Sequence, residues 1–225
     1  MTSYALLETL ELAALAYRSV QPDLPPTTLF VIDDQLSGVQ CYLRSRDQLL
    51  DITFRGTDSL RDALNNLRVW KKTVPYGNQV SPIRVHTGFI SAYKSPAVRD
   101  RIQSFMTPEV RRVRISGHSL GAALALLCAV DLEYNFPDRA YEVVVFGCPR
   151  VGNDAFRRSY NRRVFKTMRV ENGNDLVTKV PPVSWGYRHV GIRLHVGALR
   201  TAGLFSLKQH ETGRYYRELF ERYPP

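Results

Sequence analysis

The stretch VRISGHSLGAALALLCAV, residues 113–130, constrains the fold more than any other part of the chain. An apolar run enters it, Gly117-His118-Ser119-Leu120-Gly121 forms its centre, and residues 120–132 are apolar nearly throughout. A strand that delivers a tight turn opening a buried helix accounts for all three parts. Gly117 and Gly121 let strand and helix approach closely while Ser119 sits at the apex. This setting predicts a nucleophile elbow, with the Ser119 hydroxyl at the carboxyl end of a sheet and beside a helix N-terminus that favours negative charge. The backbone N–H of Leu120 would then be one oxyanion donor. A serine between two turn glycines fits the same five residues, so the remainder of the chain has to discriminate.

Along that remainder, Leu6, Leu7, Leu10, Ala13, Ala14 and Tyr17 recur at helical spacing and predict a first helix over 4–18. Strand-like runs follow at 28–32, 38–44 and 49–54. In SLRDALNNLRVW, residues 59–70, Leu60, Leu64 and Leu67 share one face, which predicts an amphipathic helix with Ser59 as N-cap. A strand at 83–85 leads to a helix over 89–107. EVVVF, residues 142–146, is the nearly continuous apolar run of a parallel strand covered on both faces. Strands are expected at 165–171 and 189–196, and a last helix over 212–223 carries Tyr216, Leu219, Phe220 and Tyr223 on one stripe. Strands alternating with helices from about residue 80 predict an α/β sheet, mainly parallel in its second half. With no repeat, low-complexity tract or linker, residues 1–225 read as one domain.

Charge and cysteine usage narrow the setting. No apolar run reaches the roughly eighteen residues that a membrane span needs. Glu8 and Glu11 interrupt the N-terminal apolar stretch, which reads as an amphipathic helix rather than a signal peptide. Cys41, Cys128 and Cys148 are too few and scattered for a disulfide framework, so a reducing, cytoplasmic or peripheral-membrane location is expected. The net charge of +10 comes from arginines spread along the chain without a nucleic-acid motif. That balance disfavours a nucleic-acid partner and favours a solvated basic surface suited to anionic lipid.

A serine at its ordinary acidity is a poor nucleophile and needs a base and an orienting acid. In sheets with this elbow they follow in the order Ser, Asp, His. Asp175 ends the run Val170-Glu171-Asn172-Gly173-Asn174-Asp175, on a loop at a strand's carboxyl end. Asp154 in VGNDAF and Asp138 in NFPDR are the rivals, both in turn contexts. Three histidines follow Asp175. His210 lies on a loop before the last helix, the setting from which a base reaches Ser119; His189 starts a strand pattern and His195 lies within it. His189 is the second candidate. His118 and His86 read as packing or hydrogen-bonding residues.

Several segments together resemble the class 3 lipase family, the fungal-type triacylglycerol lipases: ITFRGTDSLRDALNNL (52–67), VHTGFISAY (85–93), ISGHSLGAALALL (115–127), VVVFGCPRVGNDAF (143–156), RVENGNDLVTKVPP (169–182), YRHVG (187–191) and HETGRYYREL (210–219). The resemblance implies an α/β-hydrolase fold and a lipid ester hydrolase with Ser119 as nucleophile, Asp175 as acid and His210 as base. It implies no metal and no cofactor. It gives Thr57 the second oxyanion N–H, weakens His189, and makes the helix at about 59–70 a lid. Leu60, Leu64 and Leu67 would then cover the site, with Trp70 resting at an anionic lipid interface. The chain departs from the family at Ala63, where tryptophan is frequent after the aspartate, and at Ala122, where glycine is usual. The segment between His189 and His210 is short. The alternatives are a phospholipase A1 or lysophospholipase, a short-chain esterase, and a lipase-like lipid-binding module without chemistry. The oligomeric state is left open.

Overall fold

The structure, a computed structural model, describes residues 3–57, 73–75, 80–199 and 205–224. The expected lid residues Leu60, Leu64, Leu67 and Trp70 lie outside the described residues.

Val143, Val144, Val145 and Phe146 are all fully buried, and their alternation shows how the layers stack. They belong to strand β7 (Ala140–Phe146), near the middle of a seven-stranded sheet. Successive strand side chains point to opposite faces, so Val143 and Val145 enter one core while Val144 and Phe146 enter another. The first core is filled by helices α2 (Thr87–Tyr93), α3 (Pro96–Ser104), α4 (Leu120–Asn135) and α5 (Asp154–Arg163). The second is filled by α1 (Ser3–Leu15) and α6 (Thr212–Arg222). Helix α4 is buried from Gly121 to Leu132, as its apolar run predicts. Its Asp131 accepts from Tyr93 Oη at 2.9 Å, Arg99 Nε at 3.0 Å and Gln103 Nε2 at 2.8 Å, which ties α2 and α3 to it.

The sheet begins as an antiparallel meander of β1 (Thr28–Asp34), β2 (Val39–Arg46) and β3 (Leu49–Phe54). It continues in parallel through β6 (Arg112–His118), β7, β9 (Thr167–Asn172) and β11 (Ile192–Val196), in the order β1-β2-β3-β6-β7-β9-β11. A smaller antiparallel sheet in the order β10-β8-β5-β4 joins β4 (Thr73–Pro75), β5 (Arg84–His86), β8 (Gly152–Asn153) and β10 (Tyr187–Arg188). The mainly parallel α/β sheet expected from the sequence is therefore present, and its helices cover both faces.

Three expected elements differ in detail. The helix expected over 89–107 is two helices, because Ser95 before Pro96 is extended at ψ 129°. The proline ring disfavours helical backbone at the preceding residue. The strand expected over 189–196 is shorter: only 192–196 form β11, and His189 lies in the loop after β10 that turns at Gly191, φ 70°. In α6 the buried stripe is Tyr215 and Leu219, not Tyr216 and Phe220, which are 37% and 44% exposed. Adjacent aromatics offer two overlapping stripes; the one chosen carries a hydroxyl that finds a buried carboxylate. Among the described residues no helix is long and apolar enough to cross a membrane.

Candidate active site

Ser119 stands between β6 and α4 with φ 59° and ψ −125°. That left-handed backbone is strained for a residue with a side chain, and the surroundings enforce it. A Cβ at Gly117 would lie 2.4 Å from Gly121 O, and one at Gly121 would lie 2.3 Å from Phe54 O. The turn therefore needs glycine at both places, for the close approach inferred from the motif. Ser119 N–H donates to Phe146 O at 3.0 Å, which fastens the turn to the next strand.

Asp175 and His210 meet through two loops that are stitched together. After β9, Gly173 turns at φ 48° and Asp175 N–H donates to Asn172 O at 3.0 Å. The segment that leads to His210 pairs with this loop as a parallel bridge between Asp175 and Ser206. Gln209 Oε1 accepts from Asn174 N–H at 2.7 Å, and Asn172 Nδ2 donates to Gln209 O at 3.0 Å. Held in this way, His210 Nδ1 lies 2.7 Å from Asp175 Oδ2, with both side chains fully buried. The carboxylate fixes the tautomer: Nδ1 carries the proton and Nε2 presents a lone pair. That Nε2 is buried and has no hydrogen-bond partner among the described residues, so Ser119 and His210 are not bonded in this state. Catalytic hydrogen bonds are often unformed without substrate.

His118 links the serine turn to the histidine. Its ring lies 4.4 Å from the His210 ring, and its Nε2 is 2.7 Å from His210 O. A carbonyl can only accept, so His118 Nε2 bears the proton and Nδ1 accepts from the Tyr17 hydroxyl at 2.8 Å. Burial, followed by the nearby His210, holds His118 well below the usual histidine range, so it stays neutral. The Tyr17 hydroxyl fits because residue 56 is glycine: a Cβ there would lie 2.0 Å from it and 2.6 Å from His118 O. Gly56 thus brings Thr57 beside the serine turn. Thr57 and Leu120 share a cavity of about 300 Å³, lined also by Asp33, Gln35, Gln40 and Arg55.

The other candidates are engaged elsewhere. His189 Nε2 is 2.8 Å from Thr178 O, and His195 Nε2 is 3.0 Å from Gly173 O. Both pin loops beside Asp175. Asp154 opens α5 and pairs with Arg157 at 2.7 Å and with Arg158. Asp138 is paired with Arg139 at the surface. Buried His86 is pushed down to about 4 by desolvation. Cys41, Cys128 and Cys148 are buried free thiols, and burial pushes Cys148 up to about 12. Among the described residues no group of three histidine, cysteine, aspartate or glutamate side chains could hold a metal ion.

Two contributors to the site escape the sequence reading. Tyr215 Oη donates to Asp175 Oδ2 at 2.6 Å. Gly147, at φ 57°, leaves room for the pair: a Cβ there would lie 2.7 Å from His210 Cε1 and 3.1 Å from Asp175 Oδ2. The signal for Gly147 was its place directly after a buried parallel strand. For Tyr215 it was a tyrosine five residues after the histidine.

A mainly parallel sheet, helices on both faces and a strained serine turn between a strand and a buried helix define the α/β-hydrolase fold. The profile of class 3 lipases matches residues 52–185, more than half of the sequence, and the chain belongs to that family. It is 36% identical to a chloroplastic phospholipase A(1) of Arabidopsis thaliana over 59% of this chain and 33% of that protein. It is 30% identical to a secreted mono- and diacylglycerol lipase of Fusarium solani over 75% of this chain and 51% of that one. The chain thus spans about half or less of the length of these curated relatives. Among solved structures, the triacylglyceride lipase of Rhizomucor miehei aligns with a TM-score of 0.76 at 23% identity, over 91% of this chain and 90% of that one. A lipase of Rhizopus microsporus var. chinensis aligns with a TM-score of 0.72 at 27% identity, over 92% and 86%.

Proposed function

We propose that the chain hydrolyses carboxylic esters of lipids, with Ser119 as nucleophile, His210 as base and Asp175 as the acid that orients it. The observation that carries this reading is the fully buried His210–Asp175 pair at 2.7 Å beside a serine turn with φ 59°. In the proposed cycle His210 Nε2 takes the Ser119 proton as Oγ attacks the ester carbonyl. The N–H groups of Thr57 and Leu120 stabilise the tetrahedral oxyanion. The imidazolium then protonates the leaving alcohol, and water releases the acid by the same steps in reverse. No cofactor or metal enters the scheme.

A second reading, phospholipase A1 or lysophospholipase action, is favoured by the 36% identity to the Arabidopsis phospholipase A(1). The +10 charge supports peripheral contact with anionic lipid in either reading. Purified protein is assayed on p-nitrophenyl esters from acetate to palmitate, on triacylglycerol emulsion and on phospholipid vesicles. Wild type is expected to turn over long-chain esters, while Ser119→Ala and His210→Ala lose at least about 1,000-fold in kcat. His189→Ala retains most activity. Loss of activity in His189→Ala but not His210→Ala would reassign the base. Wild type inactive on every substrate would favour a lipid-binding module.

A further inference from the structure

Asp175 is buried where water does not reach, and among the described residues no lysine or arginine lies within ion-pairing distance of it. Three donors do the stabilising instead. Oδ1 accepts from Val177 N–H at 2.9 Å, whereas Oδ2 accepts from both His210 Nδ1 at 2.7 Å and Tyr215 Oη at 2.6 Å. Two donors on one oxygen compete for the same negative charge. Tyr215 is fully buried, and its ring is held edge-on against His118 at 5.9 Å and Phe146 at 6.3 Å. Burial, followed by the Asp175 charge, pushes its phenol well above the usual range, so the hydroxyl stays protonated and keeps donating.

We propose that Tyr215 is a positioning residue that moderates the basicity of His210 by sharing Asp175 Oδ2 with it. A carboxylate oxygen that donates part of its charge to a phenol stabilises the neighbouring imidazolium less. The base is then easier to keep neutral, as the attack on an ester requires, and easier to deprotonate when the leaving group needs a proton. The remaining groups around His210 do not take this role. His118 of β6, stacked on its ring, is neutral and supported by Tyr17 after α1. Gly147 after β7 presents backbone alone, and the thiol of Cys148 is held protonated by burial. Lys179 acts on Asp175 from beyond hydrogen-bond range and is engaged with Glu171. Thr178 spends its hydroxyl on Asp175 O at 2.8 Å, the backbone rather than the carboxylate.

The proposal rests on reading Asp175 and His210 as acid and base, and its test separates the two. kcat/KM is followed against pH on a soluble p-nitrophenyl ester for wild type and Tyr215→Phe. The His210 imidazole is titrated by NMR in Ser119→Ala with and without Tyr215→Phe, which needs no turnover. The expected result is that the acid limb and the NMR midpoint both rise by about half a pH unit to one unit in Tyr215→Phe. Plateau kcat falls by less than about tenfold. Installing 2,3-difluorotyrosine at position 215 gives a stronger donor of the same shape and moves both midpoints down, even if the phenylalanine variant folds poorly. Midpoints that stay in place or move the opposite way in these proteins overturn the proposal. Failure of the acid–base assignment shows differently, as activity that survives His210→Ala.

Discussion

Two buried carboxylates sit four positions apart near the end of β9, each beside a histidine, and they are stabilised in opposite ways. Glu171 is surrounded by cations: Arg169 contacts Oε1, while Lys179 at 3.1 Å and Arg193 at 2.9 Å share Oε2. Its histidine, His189, stands 3.8 Å away and turns Nε2 to the Thr178 carbonyl. Burial and then Arg169 hold His189 well below the usual range, so it carries no charge for Glu171 to stabilise. Asp175 has hydroxyl, amide and imidazole donors in place of cations, and His210 meets it directly. A carboxylate already neutralised has little left for an imidazolium. One left with polar donors can stabilise a positive charge that appears on its histidine and disappears again. A carboxylate beside a histidine thus holds a loop in one place and, in the function proposed here, supports proton transfer in the other.

The largest expected effect comes from removing the charge that distinguishes the second pair. Asp175→Asn keeps the shape but offers the wrong partner to His210 Nδ1, so the neutral tautomer that presents Nε2 to Ser119 is no longer favoured. A loss of about 10,000-fold in kcat with KM little changed is expected in steady-state assays on a p-nitrophenyl ester. A loss below about tenfold would dissolve the contrast with Glu171.

Next is Gly147→Ala. The added methyl meets His210 at 2.7 Å from a backbone at φ 57°, where glycine alone is comfortable. Displacing the imidazole by a fraction of an ångström is expected to lower kcat about 100-fold. The thermal midpoint also falls, through a backbone cost of about 1 kcal/mol. Crystallographic comparison of His210 in the two proteins checks the cause.

How much of this was legible beforehand depends on how far apart in sequence the partners lie. The serine turn is local, because strand, glycines and helix are contiguous and each limits the next. Residue pattern separates His210 from His195, which lies inside β11, but not from His189, which lies in the loop between β10 and β11 and is set apart by its bond to Thr178 O. The choice between Tyr215 and Tyr216 was not legible: both fit helical spacing, and what decides is a carboxylate 40 positions away. The Glu171 cluster is hidden for the same reason, since Arg169, Lys179 and Arg193 look like ordinary surface charges until β9 and β11 are paired. Gly56 and Gly147 are visible as glycines, but their need follows from Tyr17 and His210 arriving from distant segments.

Glu171→Gln addresses the other half of the comparison. It leaves the buried Arg169 and its two neighbours facing a neutral amide. Losing a buried charge partner typically costs 3–5 kcal/mol; with Arg193 about half exposed and Lys179 about a third, roughly 2–4 kcal/mol is expected. Urea denaturation at pH 7 measures it, while kcat stays within about tenfold of wild type. A kcat loss as large as that of Asp175→Asn would mean that the two carboxylates act as one unit.

The smallest effect concerns His189 and appears as a pH dependence. Folded His189 is held neutral well below its ordinary value of 6.5, whereas the unfolded chain binds a proton there as pH drops through 6.5. Below that pH the unfolded state therefore carries more protons than the folded one, and stability declines as acid is added. Above 6.5 both states are neutral at this position and the contribution is flat. The slope for one such histidine is about 1.4 kcal/mol per pH unit. His189→Gln removes that slope while retaining a side-chain donor for Thr178 O. Between pH 7 and pH 5 the variant is expected to lose about 2 kcal/mol less stability than wild type, read from urea midpoints at the two pH values. His86 and His118 are held down by burial in both proteins and cancel in the difference. Equal losses in the two proteins would mean that His189 accepts a proton in the folded state. The cations around Glu171 would then leave that carboxylate able to stabilise an imidazolium, just as Asp175 is proposed to do.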